Sequence, residues 1–185
     1  MAEAVYRAVS DQEQVAWVDR NDQLLGPMAR AQLRENGLIG RCTYILLFNS
    51  AGLLCVHKRS SLKALYPSYW DMAAGGMVQY GEDYRVSAER ELAEELGITD
   101  AELFDHGHFF FDSEQSRLWC RVYSAVSDAP LRLQPEEVVA ARFISVEQAL
   151  AELEQLPYCP DSLQALELYL ASVEGLAPAR RVSRI

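Results

Sequence analysis

GMVQYGEDYRVSAERELAEELGI, residues 76–98, is the stretch that decides how this chain is read. Tyr84 to Leu96 contains no Gly or Pro and is rich in Ala, Leu, Glu and Arg, which predicts a helix. Gly97 follows the last periodic residue, where a left-handed helix end favours glycine. At about 100° per residue, Ala88, Leu92 and Leu96 share one face. Glu91, Glu94 and Glu95 stand at i, i+3 and i+4, so their carboxylates are expected to form one patch. Such a patch repels itself, and a hard divalent cation such as Mg²⁺ or Mn²⁺ offsets the repulsion by taking oxygen ligands. The plain alternative is a solvated acidic face. Gly75-Gly76 argues against it, because two glycines let backbone approach the helix and bring a main-chain carbonyl, that of Gly75, to the carboxylates. Arg90 precedes the patch by one residue. It can orient a carboxylate or pair with Glu82 across the loop.

Length and composition set the frame. With 185 residues the chain can bury a real core, and a single domain over 1–185 is expected. Half of the residues are hydrophobic and 24% are charged, as in soluble globular proteins. A net charge of −10 argues against nucleic acid or an anionic membrane as a standing partner. A small phosphorylated substrate remains compatible, because a bound metal reverses the local sign. Cys42, Cys55, Cys120 and Cys159 are widely spaced and form no C-x-x-C pair, so buried reduced thiols are expected. No basic-then-apolar leader and no apolar run of spanning length is present, so a cytoplasmic location is expected.

Outward from the central stretch, residues 1–12 and 178–185 read as flexible ends. Gln14 to Asp19 reads as a short strand, and Pro27 to Glu35 as a short helix with Pro in its first turn. Arg41 to Asn49 is apolar on both faces and predicts a buried central strand. Leu53 to Arg59 returns as its hairpin partner. Ser60 to Ala74 is a long connection whose cations and aromatics, Lys63 and Trp70 among them, suggest contact with a substrate. For Trp70, capping the core is an equal alternative. Glu102 to Asp112 and Leu118 to Ser127 read as strands, with His106 and His108 alternating and so sharing a face. Pro130 to Val139 is a loop carrying Glu136 and Glu137. A last strand over Ala140 to Ile144 precedes two helices, Ser145 to Gln155 with a capping box at Ser145–Gln148, and Asp161 to Val173.

Gly76, Glu82, Arg90, Glu91, Leu92, Glu94, Glu95, Gly97 and Ile98 together resemble the Nudix box with every position present. The resemblance implies an α+β fold, a mixed β-sheet packed between helices as an α/β/α sandwich. It also implies a metal-dependent hydrolase of diphosphate linkages, often in nucleoside diphosphate derivatives, in a superfamily where dimers are common. A looser resemblance, from about Trp17 to Ser145, is to the subgroup related to isopentenyl diphosphate isomerase, including YfcD-like hydrolases. LLFNSAGLL (46–54), Arg59, Lys63, Pro67, Trp70 and Glu137-Val138 carry it. There the residues matching Arg59 and Lys63 face the diphosphate, in keeping with the fork of Arg and the point charge of Lys. The isomerase's cysteine falls near Gly75, and its three metal-binding histidines fall near Leu33, Gly40 and Met77. None is conserved in type here, so hydrolysis is expected; an isomerase and a non-catalytic diphosphate-binding module are the alternatives.

The expected site therefore has Glu91, Glu94 and Glu95 as metal ligands with the Gly75 carbonyl, and Glu136 as a further candidate. Mg²⁺ or Mn²⁺ lowers the pKa of a water that attacks phosphorus. A box glutamate or Glu137 takes the proton. Arg90 orients, and Arg59, Lys63 and Trp70 contact the substrate.

Overall fold

The structure, a computed structural model, describes residues 2–176. The elements are α1 (Ala2–Gln12), β1 (Gln14–Val18), β2 (Leu24–Ala29), α2 (Arg30–Glu35), β3 (Ile39–Phe48), β4 (Leu54–Arg59) and β5 (Trp70–Asp71). They continue with α3 (Tyr84–Leu96), β6 (Phe104–Asp112), β7 (Arg117–Val126), β8 (Val138–Ile144), α4 (Val146–Glu152) and α5 (Pro160–Leu176). The eight strands form one mixed sheet, as expected. β3 runs through its middle, parallel to β7 from Ile39↔Arg117 to Phe48↔Val126. Its side chains alternate between two cores. Ile45 and Leu47 meet Ala88, Leu92 and Leu96 of α3, while Tyr44, Leu46 and Phe48 meet the cluster containing Ala149 of α4 and Leu166 of α5. That is why its apolar run has no polar face.

Three readings change. Residues 2–12, expected as a loose end, form α1; the expected tail at 178–185 lies outside the described residues. Pro27 lies in β2 rather than in a helix. β2 is an edge strand, where a missing N–H costs no ladder bond, and the helix starts only at Arg30. The hairpin of β3 and β4 is splayed: the two strands pair only at Phe48↔Leu54. Beyond that point, residues 74–78 take the edge of β3, through Ile45 N–H to Ala74 O, Thr43 N–H to Gly76 O and Val78 N–H to Arg41 O. β4 pairs instead with β5 and β8.

A bulge in β6 also separates the two histidines. The register slips between Asp105 and Gly107, which puts His106 and His108 on opposite faces. His108 packs edge-on against Trp119. His106 lies 2.7 Å from both Ser124 Oγ and Ser172 Oγ. Burial lowers the His106 pKa below its ordinary 6.5, against the opposing pull of Asp105. The folded state therefore binds fewer protons than the unfolded chain below about pH 6.5, and stability falls as the pH drops through that value. Melting temperature should fall less between pH 7 and 5 in His106→Gln than in the native chain. Equal slopes would remove His106 as the cause.

All four cysteines are buried free thiols. Among the described residues, no helix is long and apolar enough to cross a membrane.

Candidate active site

α3 is built as its sequence predicts. Asp83 caps it by accepting from Val86 N–H, and Gly97 ends it at φ 73°. Such a cap contributes about 1 kcal/mol. Ala88, Leu92 and Leu96 are buried against the sheet, and burying each leucine contributes roughly 1.5–3 kcal/mol. This packing fixes the rotation of the helix and so aims its glutamates.

The three glutamates do not form one patch. Glu91 and Glu95 are four residues apart and both turn inward; the Glu95 side chain is 2% exposed and that of Glu91 13%. Glu94 lies about 100° round the helix from Glu95 and is 52% exposed, paired with Arg90 at 3.1 Å. Arg90 forks onto Glu82 at 2.9 and 3.0 Å and reaches Glu91 at 2.8 Å. Both roles read for it in the sequence are thus made by one guanidinium.

The glycine loop is pinned between β3 and these carboxylates. Gly75 N–H donates to Glu95 Oε2 at 3.1 Å. A Cβ at Gly75 would stand 1.9 Å from the Thr43 carbonyl oxygen, and one at Gly76 would stand 2.4 Å from Glu91 Oε1.

Opposite α3, β4 and the loop after it supply cations. Arg59 is held by Asp71 at 3.0 Å and by the Leu65 carbonyl at 3.3 Å. Lys63 Nζ lies 3.4 Å from Glu95 Oε1 and pairs also with Glu137. Burial pushes the Lys63 pKa down, and Glu95 opposes that shift. Glu137 further accepts a hydrogen bond from the hydroxyl of Tyr6, on α1. Arg90 with Glu91 at one end, and Glu95, Lys63, Glu137 and Tyr6 linked in turn at the other, thus meet where the two carboxylates Glu91 and Glu95 face each other.

Two expected residues stand apart. Alternation along β4 sends His57 toward Glu95 of α3, and Lys58 away from it. Trp70 pairs with Lys58 and so faces the other core, where it packs against Tyr158 with the Arg142 guanidinium 4.5 Å over its ring. Glu136 is exposed, while its neighbour Glu137 turns in. Two further residues were not read from the sequence. Tyr6 was hidden in the supposed loose end, though Ala2 to Val9 has no Gly or Pro and favours a helix. His57 is 1% exposed, with Nε2 3.9 Å from Glu95 and no hydrogen-bond partner on either ring nitrogen. A histidine inside an apolar strand carries no sequence signal for this.

The NUDIX domain family matches residues 39–163. Over 165 residues the chain is 67% identical to the uncharacterized Nudix hydrolase PA4841 of Pseudomonas aeruginosa, covering 89% of this chain and 98% of that protein. The chain belongs to the NUDIX family. It is 34% identical over 164 residues to the NUDIX protein YfcD of Escherichia coli, covering 89% of this chain and 90% of YfcD, so the YfcD-like resemblance holds. The crystal structure of DR0079 from Deinococcus radiodurans matches with a TM-score of 0.72 at 26% identity, covering 85% of this chain and 99% of that one. The NUDIX fold expected from residues 76–98 is the fold observed.

NUDIX enzymes generally use divalent metal ions. Among the described residues, no three His, Cys, Asp or Glu side chains form a ready cage. The inward pair nevertheless fits a cation. Burial, and after it the charge of Glu95, pushes the Glu91 carboxyl well above the usual carboxylate range, although Arg90 and Lys63 oppose the shift. Two such oxygen donors call for more positive charge than the side chains supply, and hard oxygen donors suit Mg²⁺ or Mn²⁺.

Two spaces open on this NUDIX site. An open groove of about 1040 Å³ is lined by Glu91, Glu94 and Glu137 on one side and by Val5 and Val9 of α1 on the other. A more enclosed cavity of about 380 Å³ lies between α1, α2 and the loop that carries Lys63.

Proposed function

We propose that this NUDIX pyrophosphohydrolase cleaves the diphosphate linkage of a nucleoside diphosphate derivative or similar small diphosphate, in the cytoplasm, by attack of water on phosphorus. The observation that carries this reading is the inward pair Glu91 and Glu95, set against Lys63 and Arg59 across the glycine loop.

Glu91 and Glu95 would hold Mg²⁺ or Mn²⁺, with the Gly75 carbonyl beside them. When bound, the cation supplies positive charge to the diphosphate oxygens and acidifies a water. The chain supplies the rest. Gly75 N–H fixes the Glu95 carboxylate, and Arg90 fixes that of Glu91. Arg59 and Lys63 meet phosphate oxygens, Arg59 from a guanidinium already steadied by Asp71. A phosphate oxygen competes with Glu137 for Lys63, and the carboxylate so released accepts the proton of the attacking water. Glu94, turned to solvent, tunes the charge near Arg90 rather than gripping the ion.

A panel of nucleoside diphosphate derivatives and small diphosphates, incubated with Mg²⁺ or Mn²⁺, tests the reading. Phosphorylated products should form only with metal, and in ¹⁸O-water one product should carry the label on phosphorus. Metal binding without turnover across the panel would refute it.

A further inference from the structure

Glu137 is held by a different partner on each side-chain oxygen. The Tyr6 hydroxyl donates to Oε1, and Lys63 Nζ pairs with Oε2. Its backbone is fixed as well, since Ser60 N–H donates to the Glu137 carbonyl at 2.8 Å and Glu137 N–H donates to that of Gln134 at 2.9 Å. The two side-chain partners are not equivalent. Lys63 also meets Glu95, and it is the cation that a phosphate oxygen takes over. Tyr6 carries no charge to lend to phosphate. Burial pushes its phenol above the ordinary 10, so it remains a donor at neutral pH.

Polar ties rather than core packing set α1 in place. None of its described side chains belongs to either buried core, and Val5 and Val9 are 61% and 69% exposed. Glu13, just past the helix, pairs with Arg30 at 3.1 Å and accepts from Gln79 Nε2 at 2.7 Å. Asp11 pairs with Arg34 at 3.4 Å. Arg7 donates at 3.4 Å to the carbonyl of Ser61, on the loop that carries Lys63. With its end fixed in this way, the helix delivers Tyr6 to Glu137.

We propose that Tyr6 is a positioning residue for the reaction: its hydroxyl holds Glu137 by Oε1, so that Oε2 is left free and aimed at the attacking water when phosphate draws Lys63 away. The water oxygen bonds phosphorus, the P–O bond to the leaving phosphate breaks, and the proton lost by the water rests on Oε2 while Tyr6 keeps its own. The proposal rests on the diphosphatase reading with Glu137 as base, and the tests separate the two. Tyr6→Phe removes one oxygen and leaves the ring, so the fold should persist. On the diphosphate of the panel that the native chain hydrolyses fastest, with saturating Mg²⁺, Tyr6→Phe should lower kcat by about 10-fold and keep KM within about 2-fold, a part of the roughly 10²–10⁴ that a positioned base supplies. In a Glu137→Ala background the same change should cost less than about 2-fold, because Tyr6 acts through that carboxylate. A native kcat in Tyr6→Phe, a rise in KM alone, or the full loss repeated on top of Glu137→Ala would overturn the proposal and leave the diphosphatase standing. Amide hydrogen exchange tests the bond without turnover. Exchange of residues 5–10 should quicken about 10-fold in Tyr6→Phe and in Glu137→Ala, and no further in the double variant, with β3 amides unchanged as the control for folding. Additive quickening, or none, would show that Tyr6 does not hold Glu137. Absence of hydrolysis by the native chain removes the diphosphatase reading, and exchange then decides alone whether Tyr6 holds Glu137.

Discussion

Glu95→Gln is expected to lower kcat by about 10³-fold and leave the fold in place. The loss is the stabilisation a ligating carboxylate gives through a bound cation, several kcal/mol, at 1.36 kcal/mol per decade. Two features keep the fold. Gln retains a carbonyl oxygen for the Gly75 N–H, now bonded at 3.1 Å. Lys63 keeps Glu137 as its partner, so no ammonium is stranded, and the cost stays below the roughly 3–5 kcal/mol of breaking a buried pair outright. Single-turnover kinetics with saturating metal, together with a far-ultraviolet circular dichroism spectrum, check both halves. Near-native turnover would remove Glu95 from the chemistry. An unfolded variant would make its role structural.

The second large effect is on stability, from the smallest change available. Gly75→Ala puts a methyl group 1.9 Å from the Thr43 carbonyl oxygen and 2.9 Å from its carbon. Both are backbone atoms of the central strand, so neither can rotate aside. Displacing the ladder there should cost about 3 kcal/mol and lower the melting temperature by roughly 6–12 °C. Gly76→Ala makes the informative contrast. Its methyl meets the end of the Glu91 side chain at 2.4 Å, and a side chain can swing away. That variant should melt close to the native chain yet turn over poorly, since the carboxylate has moved. Equal melting points for both alanine variants would contradict the difference drawn between the two glycines.

Residues 76–98 made the helix, its ends and the family legible, because capping, propensity and apolar period all agree there. β3 was legible for the same reason, as its apolar run is long and free of breakers. Partnering was not. That β3 pairs with a strand 78 residues later, and that the glycine loop separates it from β4, depends on backbone hydrogen bonds that no side chain announces. Helical spacing placed Glu94 near Glu91 and Glu95, but only the packing of Leu92 and Leu96 shows which two turn inward. Trp70 read equally as a substrate contact and as a cap on the core, and it packs against the core. Its pairing with Lys58 sends it to the opposite face. α1 was missed although Val5, Tyr6 and Val9 recur at helical spacing, because its place against the site is set by contacts up to 131 residues away.

The splayed strands carry a consequence for how such a protein can diversify. Residues 74–80 are laced into β3 and β1 by backbone bonds, from Ile45 N–H to Ala74 O through Ala16 N–H to Val78 O to Tyr80 N–H to Gln14 O. An insertion or deletion there would shift the register of the sheet itself. Around the cavity, residues 113–116 form a surface turn, where length and composition can change at little cost to the sheet, whereas Lys63 and Leu65 on the neighbouring loop are tied to Glu95, Glu137 and Arg59. The carboxylates and the glycine loop are thereby fixed by the framework itself, and the turn at 113–116 is the part of the cavity wall that can change without disturbing them.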